Sequence, residues 1–105
     1  MVISSVSPVE AKEILDASRD EAILLDVRTD GEYQRVHIPG SVLIPVEELQ
    51  KRCNELDRKK RIVVYCASGN RSQTACRILE TEGFGECINM AGGIGAWITH
   101  GLSVE

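Results

Sequence analysis

The run Ile62-Val63-Val64-Tyr65 passes directly into Cys66-Ala67-Ser68-Gly69-Asn70-Arg71-Ser72 and then into a helical pattern from about Gln73. The first four residues have the β-branched, apolar character of a buried strand, so the chain must turn from strand to helix within one short loop. A loop entering a helix presents unpaired backbone N–H groups and the positive end of the helix dipole, which favour an anion at that point. The natural anion here is the thiolate of Cys66. A free thiol ionises near ~8.5, and a helix N-terminus with a neighbouring Arg lowers this to roughly 3.5–7.5, which makes the sulfur a nucleophile at neutral pH. The plainer reading, Cys66 as a small buried hydrophobe beside an ordinary Gly69-Asn70 turn, suits a polar loop poorly.

Short apolar runs alternate with helical patterns along the rest of the chain, the signature of an α/β domain with a mainly parallel sheet. Five strands are expected: one near Val2-Ile3, then Ile23–Asp26, Val42–Ile44, Ile62–Tyr65 and Cys87–Asn89. Ser7, Pro8 and Glu10 spell a capping box with proline at the first helical position, and Thr29 with Glu32 repeats the box before a short helix containing Tyr33. Val46, Leu49, Cys53 and Leu56 make the apolar stripe of a third helix, and Ser72, Ala75, Cys76 and Leu79 that of a fourth, which Gly83 ends. Gly92-Gly93 is a turn before a final short helix, whose Trp97 seals the core.

At 105 residues and 43% hydrophobic the chain has room for one domain with one core, spanning 1–105. Cys53, Cys66, Cys76 and Cys87 include no closely spaced pair, which argues against zinc or a dithiol redox pair, and no metal or organic cofactor is expected. No stretch has the form of a secretory signal or the length of a membrane span, so a cytoplasmic protein without a membrane partner is expected. A net charge of −4 disfavours a nucleic-acid partner, and Arg58-Lys59-Lys60-Arg61 is a solvated turn entering a strand.

Ligands of an open parallel sheet sit beyond the carboxyl ends of its strands, where Asp26-Val27-Arg28 and the Cys66–Arg71 loop should meet. Together with Glu32-Tyr33, His37-Ile38-Pro39-Gly40, Ser72, and Gly92-Gly93 with Trp97, these segments resemble a single-domain rhodanese-type sulfurtransferase over nearly the whole chain. The sequence departs from the family pattern at Val36 and Ser41, where glycine and alanine are common, away from the cysteine loop. The resemblance implies a rhodanese-like single domain with a central five-stranded, mainly parallel sheet and helices on both faces. It also implies that Cys66 is a nucleophile carrying sulfane sulfur as a persulfide, with Ala67, Ser68, Gly69, Asn70, Arg71 and Ser72 as its cradle.

The expected cycle is a double displacement. The Cys66 thiolate attacks the outer sulfur of thiosulfate or a small persulfide, and a thiol or cyanide then removes that sulfur. Thioredoxin and glutathione are candidate acceptors. Arg71 either grips an anionic donor or pairs with a carboxylate such as Glu32, and a mainly structural role is favoured. Asp26 and Arg28 are expected to form an ion pair or to bind the loop backbone, with Glu32 also in a supporting role, and His37, Cys53, Cys76 and Cys87 in structural ones. Two other functions use the same fold. A cysteine phosphatase needs five residues between Cys and Arg, where this loop has four. A non-catalytic or sulfur-relay binding module fits less well while Cys66, Gly69 and Arg71 are all present.

Overall fold

The Ile62–Tyr65 run lies in the middle of a five-stranded sheet in a computed structural model that describes residues 3–105. The strands β1 (Ser4–Val6), β2 (Ala22–Asp26), β3 (Val42–Leu43), β4 (Arg61–Tyr65) and β5 (Cys87–Met90) are ordered β1-β5-β4-β2-β3, and every pairing is parallel. Four α-helices join them, α1 (Pro8–Ser18), α2 (Asp30–Arg35), α3 (Val46–Arg52) and α4 (Asn70–Thr81), and α5 (Gly93–Thr99) follows the last strand. Short 3-10 turns follow α1 and α3.

Ile62, Val63, Val64 and Tyr65 are all fully buried because β4 is covered on both faces. Leu25, Ile62, Val64 and Cys87 meet Leu49, Cys53, Cys76 and Leu79 from α3 and α4 and the turn after α3. Leu24, Val63, Tyr65 and Ile88 meet Ala11 of α1 and Ile94 and Trp97 of α5. Fully burying one such aliphatic side chain is worth roughly 1.5–3 kcal/mol, so two such layers hold the sheet against which the loops are set. Trp97 closes the second layer, with its indole N–H donating to the Ser103 carbonyl at 2.9 Å.

Both capping boxes form, with Glu10 N–H on Ser7 Oγ at 3.1 Å and Glu32 N–H on Thr29 Oγ1 at 3.3 Å. Other expectations are corrected. The first strand is Ser4–Val6 and not Val2-Ile3; Ile3 precedes it, and Val2 lies outside the described residues. This edge strand exposes Ser4 and Ser5 and so carries no apolar signature. The third strand ends at Leu43, and α3 stops at Arg52, where the chain tightens into a 3-10 turn that still buries Cys53 and Leu56. The fourth helix begins at Asn70, earlier than expected, so that Arg71 and Ser72 lie in its first turn. Gly83, at φ +92°, ends it as expected, and the Phe84 N–H turns back to the Leu79 carbonyl at 3.0 Å.

His37 has a structural setting. Its ring stacks on Tyr33 with centroids 4.0 Å apart, and its backbone exchanges two hydrogen bonds with Glu105, at 2.9 and 2.8 Å. No described helix is long and apolar enough to cross a membrane.

Asp26 and Arg28, both buried, form a tight ion pair at the end of β2, with Arg28 Nη2 on Asp26 Oδ2 at 2.7 Å. The same Nη2 donates to the Val36 carbonyl at 2.7 Å, and the guanidinium lies 5.5 Å from the centre of the Tyr65 ring. The pair therefore ties β2 to the segment after α2. Replacing Asp26 with Asn would leave the Arg28 charge buried without its counter-ion, at a cost of about 3–5 kcal/mol. Chemical denaturation should read that loss as a lower midpoint with an unchanged slope.

Candidate active site

The site is made where β4 ends and α4 begins. Gly69, at φ +107°, occupies the position before the first helical residue and has no side chain with which to cap the helix. The Cys66 sulfur does so instead. The Gly69 N–H donates to Sγ at 3.1 Å, and Cys66 is only 1% exposed. Burial is the largest single influence on the thiol and pushes its pKa up. The Ser72 hydroxyl and the backbone N–H groups of Ser72, Gly69 and Ser68 together outweigh it, so Cys66 ionises below the ordinary thiol value.

The Ser68 N–H faces the sulfur because α5 holds the other side of the loop. Ile94 N–H donates to the Cys66 carbonyl at 2.9 Å and Gly95 N–H to the Ala67 carbonyl at 3.2 Å. Carbonyl and N–H point in opposite directions across one planar peptide unit, so fixing the Ala67 carbonyl on α5 turns the Ser68 N–H back toward Sγ. The approach is close: a Cβ on Gly93 would lie 2.3 Å from the Cys66 carbonyl oxygen and 2.6 Å from Ala67 C. Gly92-Gly93, expected from the sequence to be only a turn, is therefore the seat of the loop.

Arg71 grips Glu32 with two hydrogen bonds, Nη1 to Oε1 at 2.7 Å and Nη2 to Oε2 at 2.9 Å. Arg71 pulls the Glu32 carboxyl down to about 2, helped by Thr29, whose N–H and hydroxyl also donate to it. Glu32 thus caps α2 and braces the loop at once. The structural option for Arg71 is the one the geometry takes up. Ala67 is half-buried, whereas Ser68 and Asn70 are exposed at the mouth.

The expected neighbours do not all gather here. Among the described hydrogen bonds, Asp26 and Arg28 make none to the Cys66–Ser72 loop; they lie by Tyr65, on the α1 and α5 side of the sheet. The sequence reading also missed Asn89. Its amide oxygen accepts a short hydrogen bond from the Ser72 hydroxyl, itself 3.5 Å from Cys66 Sγ. A polar residue at a buried position of an otherwise apolar strand was the available signal. Cys53, Cys76 and Cys87 are buried free thiols, and burial raises Cys76 to about 12 and Cys87 to about 11, so neither is an anion near neutrality.

Fold and loop together define a parallel α/β domain that seats a thiol of lowered pKa among backbone amides at a helix N-terminus. More narrowly, the chain belongs to the rhodanese-like domain family, whose model matches residues 7–100. It is 36% identical over 88 residues to a sulfurtransferase of Allochromatium vinosum, an overlap covering 84% of this chain and 82% of that one. It is 29% identical over 100 residues to the thiosulfate sulfurtransferase GlpE of Coxiella burnetii, covering 95% and 92%. A rhodanese-related protein of Thermoplasma volcanium superposes with a TM-score of 0.84 at 32% identity, covering 97% of each chain.

The clamp and the thiolate each make a measurable claim. Gly93→Ala adds a clash with loop backbone to the strain of φ +60° and should destabilise the fold by at least about 2 kcal/mol. Gly101→Ala, at φ +75° with open space around its Cβ, carries only the strain and should cost less in the same melting experiment. A thiol whose folded pKa is depressed adds stability above its unfolded pKa, and that stability fades as pH falls through the folded value. The stability of wild type relative to Cys66→Ala should therefore grow as pH rises toward the unfolded thiol value of about 8.5 and level off above it, while contributions of Cys76 and Cys87 cancel in the difference.

Proposed function

We propose that the domain moves sulfane sulfur through a Cys66 persulfide. The supporting observation is a nearly inaccessible sulfur that is nonetheless easy to ionise, with the Gly69 N–H 3.1 Å away and a hydroxyl at 3.5 Å. The Cys66 thiolate attacks the outer sulfur of thiosulfate, or of a small persulfide. A new S–S bond forms, the old one breaks, and sulfite or a thiolate leaves with the bonding pair. The terminal sulfur of the enzyme persulfide then faces the loop amides, which stabilise its negative charge without a metal or organic cofactor. A thiol acceptor, glutathione or thioredoxin in the cell and cyanide in the assay, attacks that sulfur and releases the Cys66 thiolate.

Ala67, Ser68, Gly69, Asn70 and Ser72 form the binding loop in this reading. Arg71 fixes the loop through Glu32, and the Asp26–Arg28 pair supports it from a distance. The free thiols suit the reducing conditions of a cytoplasm. The four-residue spacing between Cys66 and Arg71 supports sulfur chemistry over phosphate hydrolysis, because a tighter ring suits one sulfur atom better than a phosphate with three peripheral oxygens.

Incubation with thiosulfate or glutathione persulfide should add one sulfur atom to the intact mass, removable by dithiothreitol. The wild-type protein should then make thiocyanate from cyanide, and Cys66→Ala should lose both signals. No sulfur loading with either donor would favour a binding module, and turnover of an aryl phosphate blocked by Cys66→Ser would favour the phosphatase.

A further inference from the structure

The Cys66 thiol is the end of a chain of polar side chains through the core. Its Sγ is 3.5 Å from Ser72 Oγ, Ser72 donates to Asn89 Oδ1, and Asn89 Nδ2 donates to Ser5 Oγ at 3.2 Å. Ser72 is fully buried and Asn89 is 2% exposed, in a layer otherwise built from Leu25, Ile62, Val64 and Leu79. Ser5 is the direct register neighbour of Asn89 on the edge strand and is exposed to water. A buried amide amid such residues is costly unless its hydrogen bonds are met, and here each buried polar atom has a partner.

The direction of this chain suits only one state of the sulfur. With a thiol, S–H donates to Ser72, Ser72 donates to Asn89 and Asn89 donates to Ser5. A thiolate or persulfide anion has no proton to give and needs the Ser72 hydroxyl turned toward it. That leaves Asn89 Oδ1 without a donor, unless the amide also turns over. Its Nδ2 then donates to Ser72 Oγ, and Oδ1 accepts from the Ser5 hydroxyl. Asn supplies a donor and an acceptor at interchangeable positions, and Ser5 can donate or accept because water completes its bonding.

We infer that Asn89 is a positioning residue that acts through Ser72: its amide turns over as Cys66 gains and loses negative charge, so that the core stays fully hydrogen-bonded in both states. The thiol proton itself leaves to water, since an amide carries none; only the hydrogen bonds reverse. The inference rests on Cys66 being the sulfur carrier, but it concerns ionisation and can be read without turnover. Other charges around the sulfur are already met. Arg71 of α4 is paired with Glu32 of α2, and Asp26 of β2 with Arg28. The neighbouring Cys76 of α4 and Cys87 of β5 are held as thiols, and the turn of α5 against the loop, Gly93-Ile94-Gly95, has no ionisable side chain.

The test is the pH profile of Cys66 alkylation by iodoacetamide, located by peptide mapping, in wild type, Asn89→Asp, Asn89→Leu, Ser72→Ala and the Asn89→Asp/Ser72→Ala double variant. An aspartate can only accept, so it should hold the Ser72 hydroxyl away from the sulfur and raise the Cys66 midpoint by about one unit or more, slowing alkylation near neutrality about tenfold. Leucine frees the hydroxyl to serve the anion, and its midpoint should lie at or below that of wild type. In the Ser72→Ala background the aspartate shift should mostly vanish. A wild-type midpoint in Asn89→Asp would overturn the proposal. So would an undiminished aspartate shift without Ser72, which indicates direct charge repulsion, or equal shifts from Asp and Leu, which indicate packing damage. Should Asn89→Asp not fold, Ser72→Ala must raise the midpoint while Asn89→Leu does not; equal shifts in these two also overturn it.

Discussion

Two hydrogen bonds from the first turn of α5 to the carbonyls of Cys66 and Ala67 fix the arrangement on which the site depends. Without them the loop amides have no reason to face inward, because a free loop would turn its polar groups to water. With them, the anchored Ala67 carbonyl leaves the Ser68 N–H aimed at the sulfur, beside those of Gly69 and Ser72. The anion site is therefore built from orientation and not from net charge, and the orientation comes from an element more than 25 residues further along the chain. Gly93 is needed for the same reason, since any side chain there would occupy the space of the loop backbone.

The rest of the fold holds these two parts at the right separation. β4 and β5 are adjacent strands, so the loop after the first and the turn after the second leave the same edge of the sheet side by side. α4 and α5 then pack on opposite faces, and each starts at that shared edge. A parallel sheet brings successive helix N-termini together in this way, and the domain uses one helix to stabilise the sulfur and the other to set the loop.

The parts written in local sequence were legible. The capping boxes at Ser7 and Thr29, the stop at Gly83 and the strand leading into Cys66 depend on residues three or four apart, and all of them form. The start of α4 was placed too late because Gly69 enters the helix through a left-handed conformation, which leaves no polar capping residue to recognise. Asn89 gave a weaker signal still. It meets Ser72 across 17 positions and Ser5 across 84, and only the parallel register of β1 with β5 reveals that these side chains share one face. Of the two options for Asp26 and Arg28, the ion pair forms and the contact with the loop backbone does not. The side chain of Asp26 alternates to the Tyr65 side of the sheet, opposite the layer that contains Cys66.

Glu32 shows how little formal charge remains at the mouth. Its carboxylate takes the Thr29 N–H and hydroxyl and both terminal nitrogens of Arg71, so the one cation within the loop sequence is matched by an anion fixed from α2. Stabilisation of negative sulfur then falls to dipoles held within about 3.5 Å, which ions in solution screen far less than separated surface charges. In the proposed reaction the donor's outer sulfur must therefore be brought to contact, where the small loop residues let it approach and the amides can act on it directly.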